Sequence, residues 1–475
     1  MINETGNIAE EKKEWLDQSF RDSVATINKE GKRNFIFPKK PKGKLYNYRT
    51  LASLIYLAVF FTIPFIKIEG EPLFLFNFIE RKFIFFGKIF WPQDFFIFAI
   101  GFLAFVVFVI LFTVVFGRVW CGWACPQTIF MEMVFRKIDY WIEGNAQAQK
   151  RLKAMPWNSY KIRKRAIKIT VYFLFSFIIA NFALAYIISM DNLLLMVQNG
   201  IWQHHVTFLA LLGFTGVFFL VFYWFREQAC IVVCPYGRLQ GVLLDKKSMV
   251  VAYDYVRGEP RGKLKKAALE VPEGDCIDCF ACVSVCPTGI DIRNGTQLEC
   301  VNCTACIDAC NAIMDKINKP QGLIRIDSEE NIQHSRKSKW NVRLVAYSAI
   351  MVALLGLLTY LLASRQDMDA TILRSSGQMF QTLPNGQIAN LYTIKLANKT
   401  RKDKPIILKL ENKVGEVRVI APKFVVPAES YFQTPFFIHL DRSQVDRRKT
   451  VLQIGVYERG KRIKTAEATF FGPGY

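Results

Sequence analysis

The 475-residue chain carries neither a G-x-G-x-x-G turn nor a P-loop, so no nucleotide or flavin site is legible in it. It lacks any helical or β-type nucleic-acid recognition module, and its formal charge of +22 is therefore not read as a nucleic-acid footprint. The amino terminus, "MINETGNIAEEKKEW", has no early apolar run. No cleavable signal peptide is expected, and the first span must act as the membrane signal. The stretch from Met190 to His205 contains no Lys or Arg, and the tail beyond Cys310 contains no cysteine. Every cysteine lies in one of four tight groups, which excludes the disulfide framework of a small secreted domain.

What is abundant is apolar. Hydrophobic residues make up 52% of the chain, with 41 Phe, too much for one soluble domain. Spans are expected at Leu51–Ile66, Phe95–Phe116, Ile169–Ile188, Val206–Phe225 and Val342–Ala363, most of them near the ~20 residues a bilayer demands. The apolar segment before Phe95 is broken by Glu80, Arg81 and Lys82, each costing about 2.5–3.5 kcal/mol at a bilayer centre, and reads as an interfacial loop. Between spans two and three stand Arg136, Lys137, Lys150, Arg151, Lys153, Lys161, Arg163, Lys164 and Arg165, against the cation-free stretch that follows span three. The positive-inside rule then places the amino terminus in the cytoplasm and the carboxyl terminus outside.

Organisation follows as a cytoplasmic segment (1–48), a four-helix membrane region (49–235), a cytoplasmic two-cluster ferredoxin-like domain (236–340), a fifth span (341–364) and an external domain (365–475). The tail alternates short β-type runs, from "IANLYTIKLANKT" to "RIKTAEATFFG", with Asn, Gly, Pro or charged turns, predicting an all-β immunoglobulin-like sandwich. The expected class is an α-helical membrane protein with an inserted ferredoxin-like domain and that sandwich.

Cys276, Cys279 and Cys282 stand at C-x2-C-x2-C, with Cys286 and Pro287 following; Cys300, Cys303, Cys306 and Cys310 repeat the spacing, with Asn311 in place of proline. This is the pattern of a two-cluster bacterial ferredoxin, in which the fourth cysteine of each box serves the other 4Fe–4S cluster. Cys276, Cys279, Cys282 and Cys310 are thus expected to hold one cluster, and Cys286, Cys300, Cys303 and Cys306 the second. The missing proline is expected to loosen only the second turn. Structural zinc, which favours paired C-x2-C units across a long gap, fits poorly. Reactive clusters need a reducing compartment, which agrees with the topology above.

Two further pairs, Cys121/Cys125 and Cys230/Cys234, form C-x3-C-P units at the ends of spans two and four. Spacing of four predicts both sulfurs of a pair on one helix face, with Pro126 and Pro235 marking where the helix gives way. Four converging soft thiols would suit Cu(I), zinc or an iron–sulfur cluster, against the blander reading of small apolar fillers. Trp120, Trp123 and Trp224 read as interface anchors. His204 and His205 could ligate copper or haem, although adjacent loop histidines usually do nothing.

The segments "GRVWCGWACPQTIFMEMVFRKIDYWIEG" and "REQACIVVCPYGRLQGVLLDKKSMVVAYDYVRGEPRG", with the double box and the β-rich tail, resemble the cytochrome c oxidase accessory family called CcoG, FixG or RdxA. The resemblance implies a multi-pass protein of the bacterial inner membrane that reduces Cu(II) to Cu(I) for assembly of a cbb3-type oxidase. Its partners would be copper-handling and assembly proteins and a cytoplasmic or quinol electron donor; a homodimer is left open. Cys121, Cys125, Cys230 and Cys234 would then hold and reduce copper. Two rivals stand beside this: a quinol-linked relay feeding another partner, and a non-enzymatic copper-holding scaffold.

Overall fold

A computed structural model describes residues 26–473. It leaves out 28–29, 31, 79, 81, 91–93, 200–204, 264–273, 335–341, 366–367, 376–378, 401, 421–423, 429 and 446–447 within that range. His204 lies outside the described residues; His205 opens a helix. The chain divides into two compact units, one of residues 1–77 and 99–356, the other of 78–98 and 357–475.

Five helices are long and apolar enough to cross a membrane: Lys44–Phe65, Phe95–Phe116, Ser159–Ile188, His205–Phe225 and Leu344–Ala363. The third begins ten residues before the expected span. Its 30 residues measure about 45 Å at 1.5 Å per residue, against a hydrocarbon core of about 30 Å, so its basic first turns extend beyond the bilayer. Asn158 caps that start, its side chain accepting from Lys161 N. The fourth ends in a π-helical turn at Val221–Phe225, after which Arg226 adopts a positive φ of 51°. The charged segment before Phe95 is a hairpin and not an irregular loop: Lys82–Phe85 and Lys88–Phe90 pair antiparallel, turned by Phe86 and Gly87 at positive φ. Buried Ile84 and Ile89 face each other across it, an alternation too short to stand out from the apolar background.

In the first unit a network of buried charge joins the ends of the spans. The Asp139 carboxylate receives Lys168 at 2.6 Å, Arg226 at 3.0 Å and the Tyr172 hydroxyl at 2.7 Å. Lys168 also reaches Glu143, which pairs with Arg165, while Arg136 holds Glu132 at 2.7 Å. Aromatic residues Phe130, Phe135, Tyr172 and Phe222 pack over this network. The cysteine-rich region is pinned to the first span: Asp308 accepts from the backbone N–H groups of Leu45 and Tyr46, so it caps that helix from a distance.

The second unit holds the sandwich. One sheet runs Gly415–Val419, Tyr431–Leu440, Ile388–Asn398 and Met368–Arg374; the other runs Val425–Val426, Lys404–Leu410, Lys449–Glu458 and Lys461–Phe471. Alternating residues such as Tyr392, Phe436, Ile454 and Phe470 fill the space between the two. The strand Met368–Arg374 goes beyond the predicted set.

Replacing Asp139 by Asn removes a charge that neutralises two buried cations. The expected loss is about 3–5 kcal/mol, read as a lower unfolding midpoint of the detergent-solubilised protein. The half-exposed Lys67–Asp191 pair, broken by Asp191→Asn, should cost under about 1 kcal/mol in the same measurement.

Candidate functional site

The two cysteine boxes fold with the same backbone device. In the first, Asp278 and Phe280 flank Cys279 at φ of 50° and 55°; in the second, Asn302 and Thr304 flank Cys303 at 50° and 64°. Positive φ on both sides of the central cysteine curls each loop into a concave turn, a conformation in which successive N–H groups can face an anionic guest. The Asn302 side chain reinforces the second turn by accepting from Val251 N at 3.2 Å.

After their loops the boxes diverge. Pro287 follows a short helix, Ala281–Ser284, whereas Asn311 lets Ala305–Lys316 run on as one helix through Cys306 and Cys310. The absent proline thus extends a helix rather than loosening a turn. Asn311 instead ties down the following segment, its Oδ1 accepting from Gly322 N at 3.0 Å.

Cys276, Cys279, Cys282 and Cys310 line one cavity. Cys286, Cys300, Cys303 and Cys306 line another, which Cys282 also borders. Burial pushes the thiols of Cys282, Cys300 and Cys310 up to about 12, and neighbouring cysteines push the same way. Among the described residues no three His, Cys, Asp or Glu side chains converge tightly enough to grip a single ion. The all-thiol donor sets, four cysteines lining each cavity, fit iron–sulfur cubes.

The C-x3-C-P units depart from the helix-face expectation. Cys121 sits in the short helix Val119–Trp123, but Cys125 is extended and precedes Pro126 at the start of the next helix. Cys230 lies in a π-helical turn at Ala229–Val233, and Cys234 is again extended ahead of Pro235. Proline disfavours the helical region for the residue before it, which moves the second cysteine of each pair off the helix. The two motifs still meet. Gln240, fully buried on the helix after Pro235, bonds the Cys121 sulfur at 3.4 Å through its amide nitrogen. Cys121 and Cys230 are raised to about 11 and about 12 by burial, with all four thiols within electrostatic reach. Gln240 was not singled out from sequence; its only signal there is a place six residues past Cys234.

This thiol set abuts the second box. Cys121 packs against a buried cluster that includes Val301, Cys303 and Ala305. Gly122 permits the approach: a methyl group there would collide with the carbonyl of Val301 and meet that of Asn302 at 3.0 Å. Arg49 secures the loop, donating from Nε to Gly122 O at 2.8 Å.

Comparison with known proteins adds the following. A family model described as a 4Fe–4S dicluster domain matches residues 225–329, and one described as a 4Fe–4S binding domain matches 98–145. A third, the IG-like fold at the C-terminal of FixG, matches 358–473. Protein RdxB of Cereibacter sphaeroides is 37% identical over 386 residues, covering 78% of this chain and 80% of that one. Protein RdxA of the same organism is 33% identical over 401 residues, covering 81% and 83%. The nitrogen fixation protein FixG of Rhizobium meliloti is 34% identical over 423 residues, covering 80% of each.

The tight approach at Gly122 predicts that Gly122→Ala frees the Cys121 loop. Maleimide labelling of Cys121 in the purified protein should speed up about tenfold, in line with the ~1–3 kcal/mol cost of an intruding methyl. Gly216→Ala, with open space around its Cα, should leave that rate unchanged.

Proposed function

Since the chain belongs to the FixG/RdxA family of iron–sulfur electron-transfer proteins, we propose that it reduces Cu(II) to Cu(I) for assembly of a cbb3-type oxidase. The observation that carries this reading is the contact of Cys121 with the second cysteine box. Cys276, Cys279, Cys282 and Cys310 would hold one 4Fe–4S cluster, and Cys286, Cys300, Cys303 and Cys306 the other. Two such clusters, when bound, supply one-electron storage in a unit that a two-electron donor or a one-electron acceptor can use.

The chain's own work lies at Cys121, Cys125, Cys230 and Cys234. Four soft sulfurs favour Cu(I) over Cu(II), so binding itself assists the reduction, which consumes one electron per ion, while thiol protons are released to solvent as the metal binds. Gln240 orients the Cys121 sulfur, and Gly122 keeps that sulfur close to the second box. The donor, cytoplasmic or quinol, would load electrons, and copper-handling assembly proteins would deliver and remove the metal. The amino terminus and the cysteine boxes lie in the cytoplasm in this proposal and the sandwich outside the inner membrane, an orientation supported by the loop charges.

A second reading has its own support. The 4Fe–4S binding match over residues 98–145 covers Cys121 and Cys125, and the four thiols are not drawn in around one ion. They would then hold a third cluster, with copper reduced elsewhere or not at all.

Anaerobically purified protein with an external donor should reduce more Cu(II) than its twelve thiols could by forming disulfides, a single-turnover reaction that would imitate activity. Changing Cys121, Cys125, Cys230 and Cys234 together to Ser should abolish this turnover while iron and labile sulfide remain near eight per chain. Iron above that level in the wild type, or its decline in the variant, points to the third cluster. Undiminished turnover in the variant rejects the copper site.

Reporter fusions test the orientation. A reporter after Ala363 should behave as periplasmic and one near Lys263 as cytoplasmic; the reverse pattern would put the cysteine boxes in an oxidising space.

A further inference from the structure

Two buried arginines stand at the junction between the second cysteine box and the C-x3-C-P thiols. Arg49 and Arg118 are 4% and 5% exposed. Arg49 donates to Gly122 O, and its Nη2 has no partner; it lines a small cavity with Tyr46, Glu132 and Ala305. Glu132 is already engaged by Arg136. Arg118 donates to the carbonyls of Leu298, two residues before Cys300, and of Gly237, three residues after Cys234; its Nε has no partner. Among the described residues neither guanidinium has a carboxylate at ion-pair distance, yet an arginine keeps its charge even when buried. A buried charge without a counter-ion is costly, so something anionic is expected beside both. Thiols stand among the anion-forming groups in reach: Cys303 feels Arg49, and Cys121 and Cys300 feel Arg118 more strongly than Glu299 does.

The first box is built differently. Its cations are already neutralised: Arg293, near Cys282, is held by Asp278 and Asp291, and Arg257, near Cys310, is held by Asp275. An electron added to either site adds negative charge, which an uncompensated cation stabilises and a neutralised one does not.

We infer that Arg49 and Arg118 form a cationic collar that makes the cluster site of Cys286, Cys300, Cys303 and Cys306 the more easily reduced of the two, so that electrons settle at the membrane end beside Cys121. They are positioning residues: neither ligates a metal, and each acts through the charge it places at the junction. The inference rests on the two-cluster reading, though not on copper being the acceptor.

The test is a potentiometric titration of the full-length, anaerobically loaded protein, following each cluster by electron paramagnetic resonance. Cys276→Ser and Cys300→Ser assign the two signals. If those two variants give the same spectrum, the two-cluster reading fails, and this inference with it. With the signals assigned, Arg49→Gln or Arg118→Gln should lower the reduced-to-oxidised ratio of the second cluster about tenfold at fixed potential. That corresponds to about 59 mV for a one-electron couple, and the first cluster should stay unmoved. Arg49→Lys and Arg118→Lys, which retain the charge, should shift it far less. Equal shifts in both clusters, no shift in either, or Lys variants that behave like the Gln variants overturn the inference. Should a Gln variant lose iron, the Lys variant decides: a second-cluster potential near wild type supports the collar, and a fall overturns it.

Discussion

Eight thiols folded into one small unit are the constraint on which the cysteine-rich region depends. Cys276, Cys282 and Cys310 belong to its buried core together with Val251, Ile307 and Met314. Among the described residues regular structure there is scant: an antiparallel pair, Val250–Tyr253 with Ile324–Asp327, the helix Ala305–Lys316 and a few shorter helices. An apolar core that small contributes little stability by itself, as in other small metal-bearing domains. Burial raises the thiols, so thiolates form there only when a metal centre takes the place of the protons. Clusters held by these thiols would therefore add to the stability of the folded region. The matched positive-φ residues around Cys279 and Cys303 persist because the surrounding structure holds them in place.

The second constraint is the membrane surface. Charges cannot sit in hydrocarbon unpaired, and the spans here end in residues that neutralise one another. Asp139 alone gathers Lys168 and Tyr172 from the third span and Arg226 from the turn just after the fourth. This network sets where the fourth span stops, because the chain must turn at Arg226 to bring its guanidinium to Asp139. The same turn begins the segment that carries Cys230 and Cys234. A buried ion network of this kind adds little net stability relative to an apolar core, but its geometry fixes one arrangement of helix ends, and the thiol pairs inherit that arrangement.

Much of this was legible in the residues. The helix of the second span, Phe95–Phe116, begins and ends where hydropathy placed it, because no charged residue interrupts it, and the helix Val342–Ala363 likewise has the expected bounds. The cysteine spacings announced the boxes, and turn residues announced six of the long strands in the sandwich. What escaped reading is tertiary. Helical periodicity put each C-x3-C pair on one face, but the proline acts one residue earlier than that count assumed and turns Cys125 and Cys234 out of the helix. Asn311 looked like a missing proline and is a residue that lets a helix continue. Arg49, in "YNYRTLASL", reads as one more basic residue before a span, since the positive-inside rule counts cations without asking which are buried. Arg136, counted in the basic loop, is likewise interior and paired.

The nearness of the Cys121 loop to the second box depends on the absence of a side chain. Gly122 stands between Cys121 and Cys125, and its missing Cβ is what lets that loop lie against the carbonyls of Val301 and Asn302. Gly117, at φ 57°, does the same five residues earlier, its Cα pressed toward Met249 O. The "GRVWCGWAC" segment is therefore a strap laid along the second box, with Arg118 tying its start to Leu298 and Arg49 tying its centre from the first span. A strap tied at its start and at its centre has little freedom to swing away. The thiols it carries are thus fixed relative to the second box whatever they bind, so the choice between copper and a third cluster bears on what is held there and not on the nearness of that site to the second box.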